Sequence, residues 1–105
     1  MPDIVEIQAK VAAGLFVFSK HAVDQLILRC ISVSEVRQIF INPCEIIEDY
    51  PDDKYGPSCL VLGFTDADRP LHIQCSYPSR PQLKIITAYE PYPGRWTNYR
   101  SRKIL

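Results

Sequence analysis

The apolar residues of this chain change period once, at Asn42-Pro43, and that break constrains the fold more than any other feature. Before it they recur at three- and four-residue spacing, the period of a helix. After it they alternate, the period of a half-buried strand. Helices gathered at one end of a chain and strands at the other predict an α+β domain. Its N-terminal helices should pack on one face of a four- to five-stranded, mainly antiparallel, twisted sheet. At 105 residues the chain has one core to build, so residues 1–105 read as a single domain.

The helical half divides into three. Ile4, Ile7 and Val11 mark a first helix over Asp3 to Ala13, stopped by Gly14. A short apolar run, Leu15 to Phe18, leads to Ser19, the N-cap of a second helix. Its buried stripe is expected to hold Ala22, Val23, Leu26, Ile27 and Cys30, leaving His21, Gln25 and Arg29 aligned on the other side. Ser32-Val33-Ser34-Glu35 is a capping box that opens a third helix, and Pro43 ends it near Asn42.

Four strand-like runs follow: Glu45 to Tyr50, Ser58 to Thr65, Leu71 to Tyr77 and Leu83 to Tyr89. The short, turn-forming gaps between them favour an antiparallel meander, because a parallel crossover needs a dozen or more residues. Pro91-Tyr92-Pro93-Gly94 bars a helix at the start of the tail, and one helical turn is expected around Trp96 to Ser101. Leu60-Val61-Leu62-Gly63-Phe64 is apolar on both faces, which predicts a central strand covered on both sides. The tail aromatics, or a second copy in a homodimer, would supply the second cover.

Twelve Lys and Arg cancel twelve Asp and Glu, but the charges are segregated. Residues 42–68 carry seven acids against Lys54, net −6, whereas residues 69–105 carry seven bases against Glu90, net +6. Either the two faces attract each other within the fold, or the basic third is a platform for an acidic protein or RNA. No apolar run reaches the roughly 18 residues of a membrane span, and the first residues lack the order of a signal peptide. A cytoplasmic protein with no membrane partner is expected. Cys30, Cys44, Cys59 and Cys75 form no CxxC pair and read as buried small hydrophobes rather than metal ligands. Phosphate-loop and dinucleotide motifs are absent, so no metal or cofactor is expected.

Two histidines are candidates for proton transfer. His21 opens the second helix, with Arg29 two turns along the same face and able to hold a phosphate; local packing at the helix start is the plainer alternative. His72 alternates with Leu71 and Ile73 and shares a face with Gln74, which suits a half-buried structural ring or a proton donor. The last strand ends Thr87-Ala88-Tyr89-Glu90-Pro91 and is followed by Arg95, Trp96, Tyr99, Arg100, Arg102 and Lys103. Interleaved rings and cations suit single-stranded RNA. They suit equally a tail that packs Trp96 and Tyr99 onto the sheet.

Ser19-Lys20-His21-Ala22, Arg29-Cys30-Ile31-Ser32, the Asn42-Pro43 stop, Arg69-Pro70-Leu71-His72 and Thr87-Ala88-Tyr89-Glu90-Pro91 with Trp96 form a further pattern. From about Phe16 to Lys103 the chain resembles an uncharacterised bacterial domain-of-unknown-function family allied to the RelE/ParE toxin superfamily. The resemblance implies a small toxin held by an antitoxin protein, in a superfamily of mRNA-cleaving ribonucleases and gyrase poisons. His21, Arg29 and Tyr89-Glu90 match positions of the family pattern, while Gln25 stands where Arg is common and Cys30 where Gly is usual. The expected function is then a metal-independent RNA endonuclease. His21 or Tyr89 would be the base, Arg29 with Arg69 or Arg95 would hold the phosphate, and His72 would be the acid. Trp96, Tyr99 and Arg100 would extend the RNA-binding surface. The alternatives are a non-catalytic module docking an acidic partner and a toxin that interferes with gyrase.

Overall fold

Residues 1–104 are described by the computed structural model of the chain. Helices α1 (Ile4–Ala12), α2 (Lys20–Leu28) and α3 (Val33–Ile41) accompany a short strand, β1 (Phe16–Phe18). Four longer strands follow, β2 (Cys44–Tyr50), β3 (Ser58–Phe64), β4 (Pro70–Ser76) and β5 (Leu83–Tyr89), and then a small hairpin of β6 (Trp96–Thr97) and β7 (Ser101–Arg102).

Local chemistry sets the helix limits. Asp3, Ser19 and Ser32 each accept a backbone N–H of the first turn, and Glu35 returns the bond to the Ser32 amide at 2.9 Å. α1 and α2 end alike. A residue in the left-handed region, Gly14 (φ 73) or Cys30 (φ 54), turns the chain. The next amide then reaches back: Leu15 N–H donates to Lys10 O at 2.8 Å, and Ile31 N–H to Leu26 O at 3.0 Å.

The sheet order is β1-β5-β4-β3-β2. β2 to β5 form the expected antiparallel meander. β1 adds beside β5 in parallel, Phe16 opposite Leu83, because α2 and α3 lie between them in sequence and supply the crossover. One sheet face carries Val61, Leu71, Ile73, Cys75 and Ile85, all fully buried under Ile7, Val36 and Ile39 of the helices. A Cβ on Gly63 would lie 2.5 Å from Ile39 Cγ2, so glycine is what lets α3 settle onto β3.

Three expectations need correction. Val23, Ile27 and Cys30 are exposed, and only Ala22 and Leu26 of α2 are buried. α2 rests on β5 and β1 near the sheet edge, where a nine-residue helix has a narrow stripe to cover. Cys59 and Cys75 are buried, but Cys44 is only half-buried. The tail forms a hairpin, not a helical turn, because Asn98 (φ 52) and Tyr99 (φ 63) reverse the chain through left-handed conformations. That hairpin covers the second face of the sheet, with Trp96 buried over His72. Among the described residues no helix is long and apolar enough to cross a membrane.

Candidate functional site

The parallel pairing of β1 with β5 determines where His21 lies. Ser19 N–H donates to Ile85 O at 2.9 Å and its hydroxyl donates to Ile86 O at 3.1 Å, which pins the start of α2 to the middle of β5. His21, in the first turn, thereby faces a cavity of about 290 Å³ beside Ser76, Arg80, Lys84 and the loop residues Asp53 and Tyr55. Arg80 is exposed and Lys84 half-buried. Among the described residues no carboxylate pairs with His21, Arg80 or Lys84. The Asp53 carboxylate is engaged instead by Ser58 Oγ at 2.7 Å and Gln74 Nε2 at 3.3 Å. An imidazole and two cations outside any ion pair, against the single carboxylate of Asp53, leave the hollow net positive, and such a set can hold a phosphate group and exchange a proton with its neighbourhood.

His72 belongs to a different place. It lies four residues from Ser76 along β4, about 13 Å at strand spacing, and neither His72, Tyr89 nor Arg29 lines the His21 cavity. His72 is fully buried. Its Nε2 lies 2.6 Å from Tyr99 O and its Nδ1 lies 3.2 Å from Tyr89 Oη. A carbonyl only accepts, so Nε2 carries the proton and Nδ1 accepts from the Tyr89 hydroxyl. The Trp96 ring meets the imidazole edge-on at 4.4 Å between centroids. Burial lowers the His72 pKa against the pull of the Tyr99 carbonyl, and burial raises that of Tyr89. The ring is sealed from solvent.

The predicted cations are spread out. Arg29 lies two turns from His21, about 12 Å along α2; it donates to Ala88 O at 2.8 Å and sits over the Tyr89 ring at 5.8 Å. Arg69 ties the turn after α2 to its surroundings. It bonds the carbonyls of Cys30 and Arg29 at 3.0 and 3.2 Å and pairs with Glu35 at 3.1 Å and Glu90 at 3.5 Å. Arg100 pairs with Glu45, and Arg102 with Glu48 at 2.8 Å. Tyr99 packs edge-on against Phe64 at 6.0 Å, and Trp96 is buried. Arg95 is exposed and in no ion pair among the described residues. The structure thus brings Arg29, His72 and Tyr89 together, leaves His21 apart from them, and commits Trp96, Tyr99, Arg100 and Arg102 of the tail to the sheet.

Arg80, Lys84 and Tyr55 are the cavity residues that sequence reasoning missed. Lys84 carried a usable signal, since it alternates with the apolar Leu83 and Ile85. Linking it to His21 required knowing that β1 pairs with β5. Among the described residues no His, Cys, Asp and Glu side chains cluster as a metal site.

No curated protein and no solved structure matches the chain. A family model described as a domain of unknown function, DUF4258, matches residues 18–90. That span runs from the last residue of β1 past the end of β5 and includes His21, Arg80, Lys84, His72 and Tyr89; the chain belongs to the DUF4258 family.

Proposed function

We propose that the protein is an RNA-cleaving, toxin-like domain, kin to the RelE/ParE toxins, that works without a metal in the cytoplasm. The observation that carries this reading is the grouping of His21, Arg80 and Lys84 around one cavity, none of them in an ion pair among the described residues, with the one lining carboxylate, Asp53, turned to Ser58 and Gln74. Metal-independent cleavage of RNA asks for those groups. In the proposed reaction His21 takes the proton of a ribose 2′-OH, and the 2′ oxygen attacks the adjacent phosphorus. The bond to the 5′ oxygen breaks, leaving a 2′,3′-cyclic phosphate. Arg80 holds the non-bridging oxygens, and the Lys84 ammonium donates the proton that the leaving 5′ oxygen needs. Arg29, His72 and Tyr89 act here as scaffold.

The test is incubation of pure protein with labelled RNA in the presence of a chelator. Cleavage to cyclic-phosphate ends is expected, and His21→Ala should slow it by about 10²- to 10⁴-fold. The double variant Arg80→Ala/Lys84→Ala should weaken RNA binding and flatten its salt dependence by about 1.4 in logarithmic slope. RNA that stays intact and unbound would sink the reading; intact RNA with altered plasmid supercoiling in induced cells would favour a gyrase target instead.

An antitoxin is the natural partner in this reading. α2 exposes Val23, Ile27 and Leu28 on the helix whose first turn faces the cavity. An acidic amphipathic segment would cover those side chains and fill the basic hollow at once. Such a segment should compete with RNA.

A further inference from the structure

The serine hydroxyls in and beside the His21 cavity are not equally satisfied. Ser19 Oγ accepts from Ala22 N–H at 3.0 Å and donates to Ile86 O at 3.1 Å. Ser58 Oγ accepts from Gln74 Nε2 at 3.0 Å and donates to the Asp53 carboxylate at 2.7 Å. Both are thus donor and acceptor at once. Ser76 differs: its Oγ accepts from Lys84 N–H at 2.9 Å, but among the described residues no acceptor takes its own hydrogen. Ser76 is only 3% exposed, and it lines the cavity. A buried O–H with nothing to donate to is unfavourable, so its acceptor has to come from within the hollow.

The two strands hold that hydroxyl in place. Alternation along β4 puts Ser76 on the face of His72 and Gln74, while Cys75 turns to the core. The regular ladder to β5 stops at the pair Cys75–Ile85, and the next amide, Lys84 N–H, goes to the Ser76 hydroxyl instead of a backbone carbonyl. Ser76 is therefore tied to the backbone of a cavity cation. Beside His21, Arg80 and Lys84 it adds one neutral donor to a net positive hollow, whose single carboxylate, Asp53, is turned to Ser58 and Gln74. An anion with several oxygens suits that set, since one oxygen can take the Ser76 hydrogen while others face the guanidinium and the ammonium.

We infer that Ser76 is a phosphate-binding residue, its hydroxyl donating to a non-bridging oxygen of the phosphate that Arg80 holds. The inference rests on the proposed reading of the cavity and adds to it a neutral group that touches the phosphate. Free phosphate and the phosphodiester of RNA present the same oxygens, and the two are tested separately.

The Lys84 amide is the reporter. A hydroxyl that donates to an anion becomes a better acceptor, because hydrogen bonds in a chain polarise one another. In an NMR titration of the isotope-labelled protein with inorganic phosphate, the Lys84 amide proton should therefore move downfield. By calorimetry Ser76→Ala should bind inorganic phosphate more weakly by roughly tenfold or more, the loss of one hydrogen bond to a charged group, and Ser76→Thr should restore most of the affinity. Phosphate that binds without moving the Lys84 amide, or equally well to folded Ser76→Ala, overturns the assignment; if Ser76→Ala does not fold, the wild-type titration decides. Phosphate binding that depends on Ser76, with RNA left intact, keeps the assignment and removes RNA cleavage. RNA cleaved equally well by wild type and Ser76→Ala keeps the proposed function and removes the assignment. If no form of the protein binds phosphate or RNA, both fall.

Discussion

Cys30 illustrates how a single position can be read against a pattern. It follows α2 with φ 54, and the two backward hydrogen bonds around it repeat those around Gly14 at the end of α1. A side chain in the left-handed region costs roughly 1–2 kcal/mol, which glycine avoids. That is the physical reason for the glycine usual at this position in the resembling family, and Cys30 is exposed, so its thiol gives little back. Cys30→Gly should therefore raise stability by about 0.5–1 kcal/mol, once the greater freedom of glycine in the unfolded chain is allowed for. Thermal denaturation would register this as a melting temperature several degrees higher; a lower one would show that Cys30 makes a contact worth more than its backbone strain. His21 was legible in the same local way, through the Ser19 cap. Arg69 was not: as an isolated base beside a turn it looked free for a phosphate, and only the folded chain shows its guanidinium spent on two carbonyls and two carboxylates.

Elements with strong local punctuation were legible, and those held by distant partners were not. The capping box of α3 and the turns around β2 to β5 mark their limits to within about one residue. β1 has three residues and no turn of its own, and exists because β5 offers it an open edge. The β6–β7 hairpin has one signal, Asn98, while Tyr99 takes a conformation that a bulky side chain rarely adopts. Its carbonyl is the one that receives the His72 N–H, so the strained turn is maintained by what it seals. Trp96→Ala should lift this hairpin and cost about 3 kcal/mol, the range for losing a buried aromatic ring. Hydrogen exchange should quicken from Trp96 to Arg102 and at the β3–β4 face beneath, with α1 to α3 little affected. Arg102→Ala should cost about 1 kcal/mol or less, because its pair with Glu48 is partly exposed. An unchanged melting temperature in Trp96→Ala would mean the tail is a passive cover.

Across the whole molecule, the segregation of charge resolves into pairing and remainder. Arg100 and Arg102 of the basic third meet Glu45 and Glu48 of the acidic middle, which realises the attraction between faces. Arg80 and Lys84, like Arg95 and Lys103, stay outside any ion pair among the described residues; sequence alone gives the totals but not which charges survive folding. Burial of His72 and the pairing of the carboxylates make stability depend on pH in two stages. His72 titrates below its ordinary 6.5 in the folded state because it is buried. The unfolded chain thus takes up a proton first, and stability should fall as pH drops below about 6.5, by at most about 1.4 kcal/mol per pH unit, until the folded-state value is passed. Glu48 is held below its ordinary 4.5 because bonds from Arg102 and Tyr50 outweigh the cost of burial, and Glu35 because it accepts the Ser32 amide and pairs with Arg69. Their contribution is complete above 4.5 and is lost as pH falls through the lower folded-state values. Melting temperatures from pH 8 to pH 3 should therefore decline in two limbs. His72→Gln, whose amide can still donate to the Tyr99 carbonyl, should flatten the upper limb and leave the lower one. Glu48→Gln should reduce the lower limb and extend the upper one, because the Glu48 charge helps His72 hold a proton. An upper limb that persists in His72→Gln would place the proton uptake elsewhere, and the sealed imidazole would then be a packing group with no part in the acid sensitivity of the fold.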